Sequence, residues 1–156
     1  MSELFINKAR AVAVTGHRIM EKGYDVKRLK NVLNSLTEMG YDTFLVGMAL
    51  GFDTLCFQVL EDIRKNKPIK IIACIPCDSQ PARFSEDQKR EYERMLLSSD
   101  EIVYVSHKYD DKCMMRRNRF MVDNASVLVS YLRRNSGGTY GTVSYAIKEK
   151  VKIIET

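Results

Sequence analysis

Three glycine-containing turns carry the residues best suited to hold an anion. They are TGHR at residues 15–18, GMALGFD at residues 47–53 and GGTYGT at residues 137–142. Glycine lets backbone N–H groups approach a bound group closely, and a helix N-terminus presents free N–H groups with about half a positive charge. The predicted phosphate contacts are Gly16, Gly47, Gly51, Gly137, Gly138 and Gly141, with hydroxyl groups from Thr139 and Thr142. The alternative for each turn is a tight connection that only caps a helix.

Four polar side chains accompany these turns. Arg18 suits an anion, and His17 beside it can bind phosphate or ribose, act as an acid or base near neutral pH, or only satisfy local backbone groups. Asp53 can accept hydrogen bonds from ribose hydroxyls or cap the following helix. Arg117 lies in MMRRNRF, and we interpret it as the arginine that clamps the anion, with an exposed basic helix face as the alternative.

Several common sites are not supported by the sequence. Neither GxGxxG nor GxxxxGK[ST] occurs, so ordinary NAD-binding and P-loop assignments lack their signatures. Cys74 and Cys77 form CIPC at a strand end, which supplies too few ligands for structural zinc and lacks the helix start of a redox pair. We therefore predict no metal site and no cofactor, and we expect the four cysteines to be thiols.

Alternating strands and helices place these residues. Strands are predicted at residues 11–15, 43–46, 70–75, 101–105, 126–132 and 151–154, and helices at residues 25–39, 54–66, 85–97, 112–124 and 138–150. Nearly unbroken apolar strands separated by helices predict an α/β, Rossmann-like, doubly wound fold. Its mainly parallel sheet has about six strands, with helices on both faces. In such folds ligands bind at the carboxyl edge of the sheet, where all three glycine turns fall.

Length and composition limit the class of protein. The 156 residues predict one domain over residues 1–156, and 45% hydrophobic with 29% charged residues excludes intrinsic disorder. The apolar runs are far shorter than the ~20 residues of a membrane span, and MSELFINKAR lacks the apolar region of a secretory signal, so we expect a cytoplasmic protein. The net charge of +5 permits an anionic partner but is too small to indicate nucleic acid, and the sequence has no tryptophan on which bases could stack, so we expect nucleic acid to be an unlikely partner.

Four segments together resemble the YpsA-like proteins of the SLOG superfamily, whose relatives include DprA and the LOG-type phosphoribohydrolases. They are AVAVTGHR, LVGMALGFDT, MMRRNRFMVDNASVLV and SGGTYGTVSYA, in the family's order between residues 12 and 153. GMALGFDT is similar to the glycine turn and aspartate of DprA, and RNRFM and GGTYGT are similar to the LOG signatures. The resemblance implies a Rossmann-like fold, and it implies that two copies can pair as a homodimer.

The resemblance also implies which functions to expect. LOG-type enzymes cleave the N-glycosidic bond of a nucleoside monophosphate with an arginine, which Arg117 matches, and a glutamate, which has no counterpart because Val143, Ser144 and Tyr145 follow Thr142. We therefore expect a sensor or regulatory module that binds a nucleotide-type molecule: a nucleoside phosphate, ADP-ribose or an NAD-related compound. The alternative is a nucleotide N-glycosidase in which His17, Asp53 or Glu149 replaces the glutamate. Single-stranded DNA, following DprA, ranks third.

Overall fold

A six-stranded parallel sheet forms the centre of the protein, of which the computed structural model describes residues 4–156. Its strands are β1 (Ala11–Gly16), β2 (Thr43–Val46), β3 (Lys70–Ile75), β4 (Glu101–Tyr104), β5 (Val127–Tyr131) and β6 (Lys152–Glu155). The order across the sheet is β4-β3-β2-β1-β5-β6, and all five strand pairs are parallel. The predicted Rossmann-like fold class is thereby confirmed.

Five α-helices connect the strands. They are α1 (Val26–Glu38), α2 (Phe52–Arg64), α3 (Glu86–Ser98), α4 (Cys113–Asp123) and α5 (Gly137–Lys148), preceded by a short 3-10 helix at Lys8–Arg10. Two helices begin earlier than predicted. α2 begins at Phe52 rather than residue 54, because Gly51 serves as its N-cap. α5 begins at Gly137, so the whole GGTYGT segment is helical.

Alternate residues of the central strands face opposite sides of the sheet. In β1, Val12 and Val14 join the core beneath α1, α2 and α3, whereas Ala11 and Ala13 join the core beneath α4 and α5. Both sides are covered, so the strand from residue 11 to 15 is buried throughout. This double burial explains the continuous apolar run in the sequence. The four cysteines are buried free thiols.

The order in which strands are added to the sheet reverses between the parallel strands β1 and β5, which lie side by side at the middle of the sheet. β1 leads through α1 to β2 on one side, and β5 leads through α5 to β6 on the other. A doubly wound sheet opens a crevice at the carboxyl ends of two such strands. Of the predicted site residues, Gly16 ends β1, His17 and Arg18 follow it, and Gly137 to Thr139 begin the helix that follows β5.

No helix within residues 4–156 is long and apolar enough to cross a membrane. Residues 1–3, which begin the MSELFINKAR segment that bears on a secretory signal, lie outside the described part of the chain.

Candidate functional site

The first two glycine turns form one packed unit. Gly51 has a φ of 79°, and a Cβ atom built on it would lie 2.1 Å from the carbonyl oxygen of Arg18. The backbone N–H of Phe52 donates to the carbonyl oxygen of His17 at 3.1 Å, and a Cβ atom on Gly16 would lie 2.4 Å from Cγ of Phe52. Gly16 and Gly51 are therefore required for close packing between the β1–α1 loop and the start of α2.

Arg117 lies inside the protein and holds two strand ends. Its guanidinium is bonded through Nη1 to the carbonyl oxygen of Gly47 and to that of Cys74, the latter at 3.2 Å, and its side chain is buried. Nε donates to Oδ1 of Asn118 at 2.8 Å. Burial lowers the pKa of Arg117, while the nearby Asp53 carboxylate opposes this shift. The guanidinium therefore binds two backbone carbonyl groups and the Asn118 side chain inside the protein, and it does not face the open edge at which the sequence predicted an anion.

Asp53 is a buried carboxyl group within the first turn of α2. Oδ2 accepts a hydrogen bond from the backbone N–H of Ala49 at 3.1 Å, whereas Oδ1 is buried without a partner among residues 4–156. Burial raises the pKa of Asp53 to about 6, against the opposing effects of Arg117 and the Ala49 N–H group. Asp53 is therefore not the N-cap of the helix, as one of the sequence alternatives proposed, because Gly51 occupies that position. Through its hydrogen bond to Ala49, Asp53 instead stabilises the turn in which Met48 adopts a φ of 66°.

His17 joins the β1–α1 loop to the β5–α5 loop. Its Nε2 atom accepts a hydrogen bond from the backbone N–H of Arg133 at 2.9 Å, and its ring meets Tyr131 edge-on with centroids 5.6 Å apart. Accepting this bond requires a neutral imidazole with its proton on Nδ1. Burial is the main cause that lowers the pKa of His17, followed by the charges of Arg134 and Arg133. His17 thus spans the crevice between β1 and β5.

The first turn of α5 is exposed and lacks a side-chain cap. Ser136 is the N-cap residue but its side chain makes no capping hydrogen bond, and Gly137 has a φ of 91°. Gly137 and Gly138 are exposed, and a Cβ atom on Gly138 would meet nothing within 4 Å among the described atoms. The first N–H groups of a helix have no intrahelical acceptor, so those of α5 are accessible to a ligand.

The rest of the GGTYGT segment points elsewhere. Thr142 is buried in the second turn of α5, where its hydroxyl donates to the carbonyl oxygen of Gly138 at 2.8 Å. Gly141 also belongs to the second turn, and Thr139 in the first turn is buried. Of the six residues, Gly137, Gly138 and the Thr139 backbone are the ones placed to meet a ligand at the start of the helix.

Sequence reasoning missed two arginines that precede α5. Arg133 pairs with Glu21 at 3.0 Å and with Glu155 at 2.8 Å, and its guanidinium lies 4.3 Å from the centre of the Tyr131 ring. Arg134 is exposed, pairs with no carboxylate of residues 4–156, and lies 3.8 Å from the Cβ position of Gly137. The RRN segment before SGG, a basic pair just before a helix start, is the signal that could have identified them.

The structure thus brings together Gly16, His17, Arg18 and Gly51 as one unit, which His17 ties to the loop before α5. Gly47, Asp53 and Arg117 form a second, buried unit at the ends of β2 and β3. A groove of about 460 Å³ lies away from both, between α1 and β6, and its lining includes Lys27, Asn31, Met39 and Ile154 but none of the predicted site residues.

Comparison with known proteins agrees with the fold and the motifs. A model described as the YspA SLOG family matches residues 12–153, which confirms the resemblance predicted from the four segments. The SPbeta prophage-derived protein YoqJ of Bacillus subtilis is 29% identical over 135 residues, which cover 78% of this chain and 79% of YoqJ.

Two solved structures of DNA processing protein A share the fold. The Streptococcus pneumoniae protein has a TM-score of 0.72 at 19% identity, covering 95% of this chain and 50% of that chain. The Helicobacter pylori protein, whose single-stranded DNA binding mode has been described, has a TM-score of 0.67 at 17% identity, covering 96% of this chain and 66% of that chain. This chain therefore spans about half to two thirds of the length of these proteins.

Proposed function

Because this chain belongs to the YspA SLOG family, we propose that it binds a nucleotide-type small molecule at the carboxyl edge of its sheet. The ligand class comprises nucleoside phosphates, ADP-ribose and NAD-related compounds, and the protein acts as a sensor or regulatory module. The observation that carries this proposal is the exposed first turn of α5, with Gly137 and Gly138 at its start and no side-chain cap.

The charges around this turn favour a phosphate group. The N-terminus of α5 contributes the positive end of the helix dipole and its free N–H groups. Arg134 lies beside Gly137, and Arg18 is exposed on the neighbouring β1–α1 loop. A guanidinium makes charge-assisted hydrogen bonds to phosphate oxygens, so these arginines are suited to the anion in the place predicted for Arg117.

Binding without catalysis fits this edge better than N-glycoside cleavage. Glu149 caps the far end of α5, about 18 Å along the helix axis from Gly137 at a rise of 1.5 Å per residue. Nε2 of His17 accepts a hydrogen bond from the Arg133 N–H group. The carboxyl group of Asp53 is buried and accepts a hydrogen bond from the backbone N–H of Ala49. None of the three residues considered as replacements presents a carboxylate or a free base at the start of α5.

Titration calorimetry with AMP, ADP-ribose and NAD tests the proposal. We expect saturable binding of at least one of them, and at least a tenfold loss of affinity in Gly138→Asp, because the new carboxylate competes for the helix N-terminus and repels phosphate. Gly138→Asn is the matched neutral control and retains most of the affinity. A Cβ atom at this position meets no neighbour, so both variants fold. Uniform absence of binding by the parent protein would contradict the proposal.

Single-stranded DNA is a second candidate ligand, favoured by the likeness to the Helicobacter pylori protein over 96% of this chain. Its phosphates would use the same basic edge. DNA binding has a distinct signature, since affinity falls steeply with salt as counterions are displaced. Fluorescence anisotropy with a labelled oligothymidine over a salt series separates the two ligands. A mononucleotide that binds while the oligonucleotide does not supports the small-molecule site.

A further inference from the structure

We infer that His17 couples the uptake of a proton to the binding of an anion at the first turn of α5. This inference concerns the regulation of the proposed site, and it rests on the proposed function. It assigns His17 a positioning role in the free protein and a donor role in the bound protein.

The geometry ties the state of the imidazole to the position of the β5–α5 loop. Nε2 of His17 accepts the backbone N–H of Arg133 at 2.9 Å, and Arg133 is three residues before the N-cap of α5. A doubly protonated imidazole has hydrogen on both nitrogens and no lone pair to accept this bond. Charging His17 therefore releases the Arg133 N–H group at the entrance to the candidate anion site.

A second contact holds the loop while this bond changes. The Arg133 guanidinium remains paired with Glu21 and Glu155, and the Tyr131 hydroxyl accepts from the backbone N–H of Glu21 at 2.9 Å. The loop before α5 is thus fixed through the side chain of Arg133, whereas its backbone N–H group depends on His17. Release of the backbone bond changes the local donors without detaching the loop.

The groups that face His17 come from three neighbouring elements. Arg133 and Arg134 of the β5–α5 loop oppose a positive charge on the imidazole, Glu155 of β6 favours one, and Tyr131 of β5 presents its ring edge-on. Burial of His17 also disfavours the charged form, and together these causes lower its pKa. The free protein therefore keeps His17 neutral near pH 7.

An anion at the first turn of α5 reverses this balance. Its negative charge offsets those of Arg133 and Arg134, so the cost of a third positive charge at His17 falls. Protonation converts Nε2 of His17 from a hydrogen-bond acceptor into a donor. It also frees the backbone N–H group of Arg133, which becomes a further donor. By linkage, binding that is accompanied by uptake of a proton at His17 becomes tighter as the pH falls.

Calorimetry with ADP-ribose near pH 6, in two buffers of different ionisation enthalpy, tests the inference. ADP-ribose suits this experiment because its pyrophosphate stays ionised through the range in which histidine titrates, about pH 5 to 8. The expected result is a buffer-dependent binding heat corresponding to uptake of up to about one proton, with affinity rising by up to about tenfold for each unit fall in pH. His17→Gln provides the control, since its amide oxygen can accept from Arg133 but cannot take up the proton.

Each outcome separates the inference from the proposed function. Binding by both proteins, with buffer dependence in the parent alone, supports the inference. Binding with no buffer dependence in the parent overturns the inference and leaves the proposed function intact, whereas no binding at all overturns both. Equal buffer dependence in the parent and His17→Gln also overturns the inference. If the buffer dependence is then lost in Asp53→Asn, the proton is taken up by Asp53.

A spectroscopic measurement on the parent protein keeps the inference testable if His17→Gln does not fold. Nitrogen-15 shifts of the His17 ring distinguish the neutral form, protonated on Nδ1, from the imidazolium. We expect the neutral form in the free protein at about pH 6.5 and the imidazolium after saturation with ADP-ribose. A ring that stays neutral in the saturated protein would contradict the coupling.

Discussion

Nη1 of Arg117 donates to the carbonyl oxygen of Cys74 at 3.2 Å, which joins α4 to the end of β3 inside the protein. The same guanidinium bonds to the carbonyl oxygen of Gly47 at the end of β2. The guanidinium thus donates to buried carbonyl groups at two strand ends, and the Gly47 carbonyl also accepts from Nε2 of Gln80 at 2.9 Å. Arg117 therefore contributes to the shape of the carboxyl edge, and its removal should affect folding before it affects a ligand.

We expect Arg117→Ala to lower the free energy of unfolding by about 3 kcal/mol, because it removes the hydrogen bonds of the guanidinium to the carbonyl groups of Gly47 and Cys74 and leaves Asp53 without a nearby positive charge. Urea unfolding followed by circular dichroism measures this change. Arg119→Ala removes an exposed arginine of the same helix and should change stability by less than about 1 kcal/mol. Equal stability of the two variants would contradict the structural role of Arg117.

Two glycines with left-handed φ angles offer a matched comparison. Gly51 (φ 79°) has no room for a Cβ atom beside the Arg18 carbonyl, whereas Gly23 (φ 74°) has nothing within 4 Å. We expect Gly23→Ala to cost about 1 kcal/mol from backbone strain, and Gly51→Ala to cost several times as much because the β1–α1 loop must also move. Thermal unfolding of both variants measures the difference, and similar melting temperatures would refute the close packing of the two loops.

The buried carboxyl group of Asp53 gives stability a pH dependence. Its pKa in the folded protein is about 6, above the ordinary value of 3.8, so the folded state holds the proton more tightly than the unfolded chain. The resulting stabilisation is fully present below about pH 4 and is lost as the pH rises through 6. Relative to the parent, Asp53→Asn should therefore gain up to about 3 kcal/mol between pH 4 and pH 7.

Urea unfolding of the parent and Asp53→Asn at several pH values measures this effect. The difference between the two proteins is the informative quantity, because other carboxylates contribute slopes of their own. The pKa values of Glu61 and Glu91 are lowered mainly by hydrogen bonds from Arg94, which favours stability at higher pH. If the difference in the free energy of unfolding between the two proteins does not change with pH, ionisation of Asp53 does not destabilise the folded protein.

The sequence was sufficient to predict a mainly parallel sheet and the order of strands and helices along the chain, because burial on both faces leaves continuous apolar runs such as that at residues 11–15. It could not predict which way Arg117 points. Helical spacing places a residue on a face, but the carbonyl groups that receive its guanidinium come from strands 43 and 70 residues away in the chain. Local pattern carries no information about such partners.

Only the local features of the candidate site could be predicted, because its other contacts join residues that are distant in the chain. Glycine spacing located the turns. In the structure the Phe52 side chain leaves no space for a side chain at Gly16, and the backbone of His17 and Arg18 leaves none at Gly51. The link from His17 to Arg133 spans 116 residues, so neither Arg133 nor the adjacent Arg134 stood out from the other basic residues. The helical start at Gly137 also moved Gly141 and Thr142 away from the exposed turn.

The central claim is that an anionic nucleotide binds at the first turn of α5, and amide chemical shifts report on this most directly. Titration of nitrogen-15-labelled protein with ADP-ribose should move the backbone amide resonances of Gly137, Gly138 and Thr139 most, together with those of Arg133 and Arg134. Gly138→Asp should abolish these shifts. No shifts at saturating ligand, or shifts confined to the groove between α1 and β6, would contradict the account.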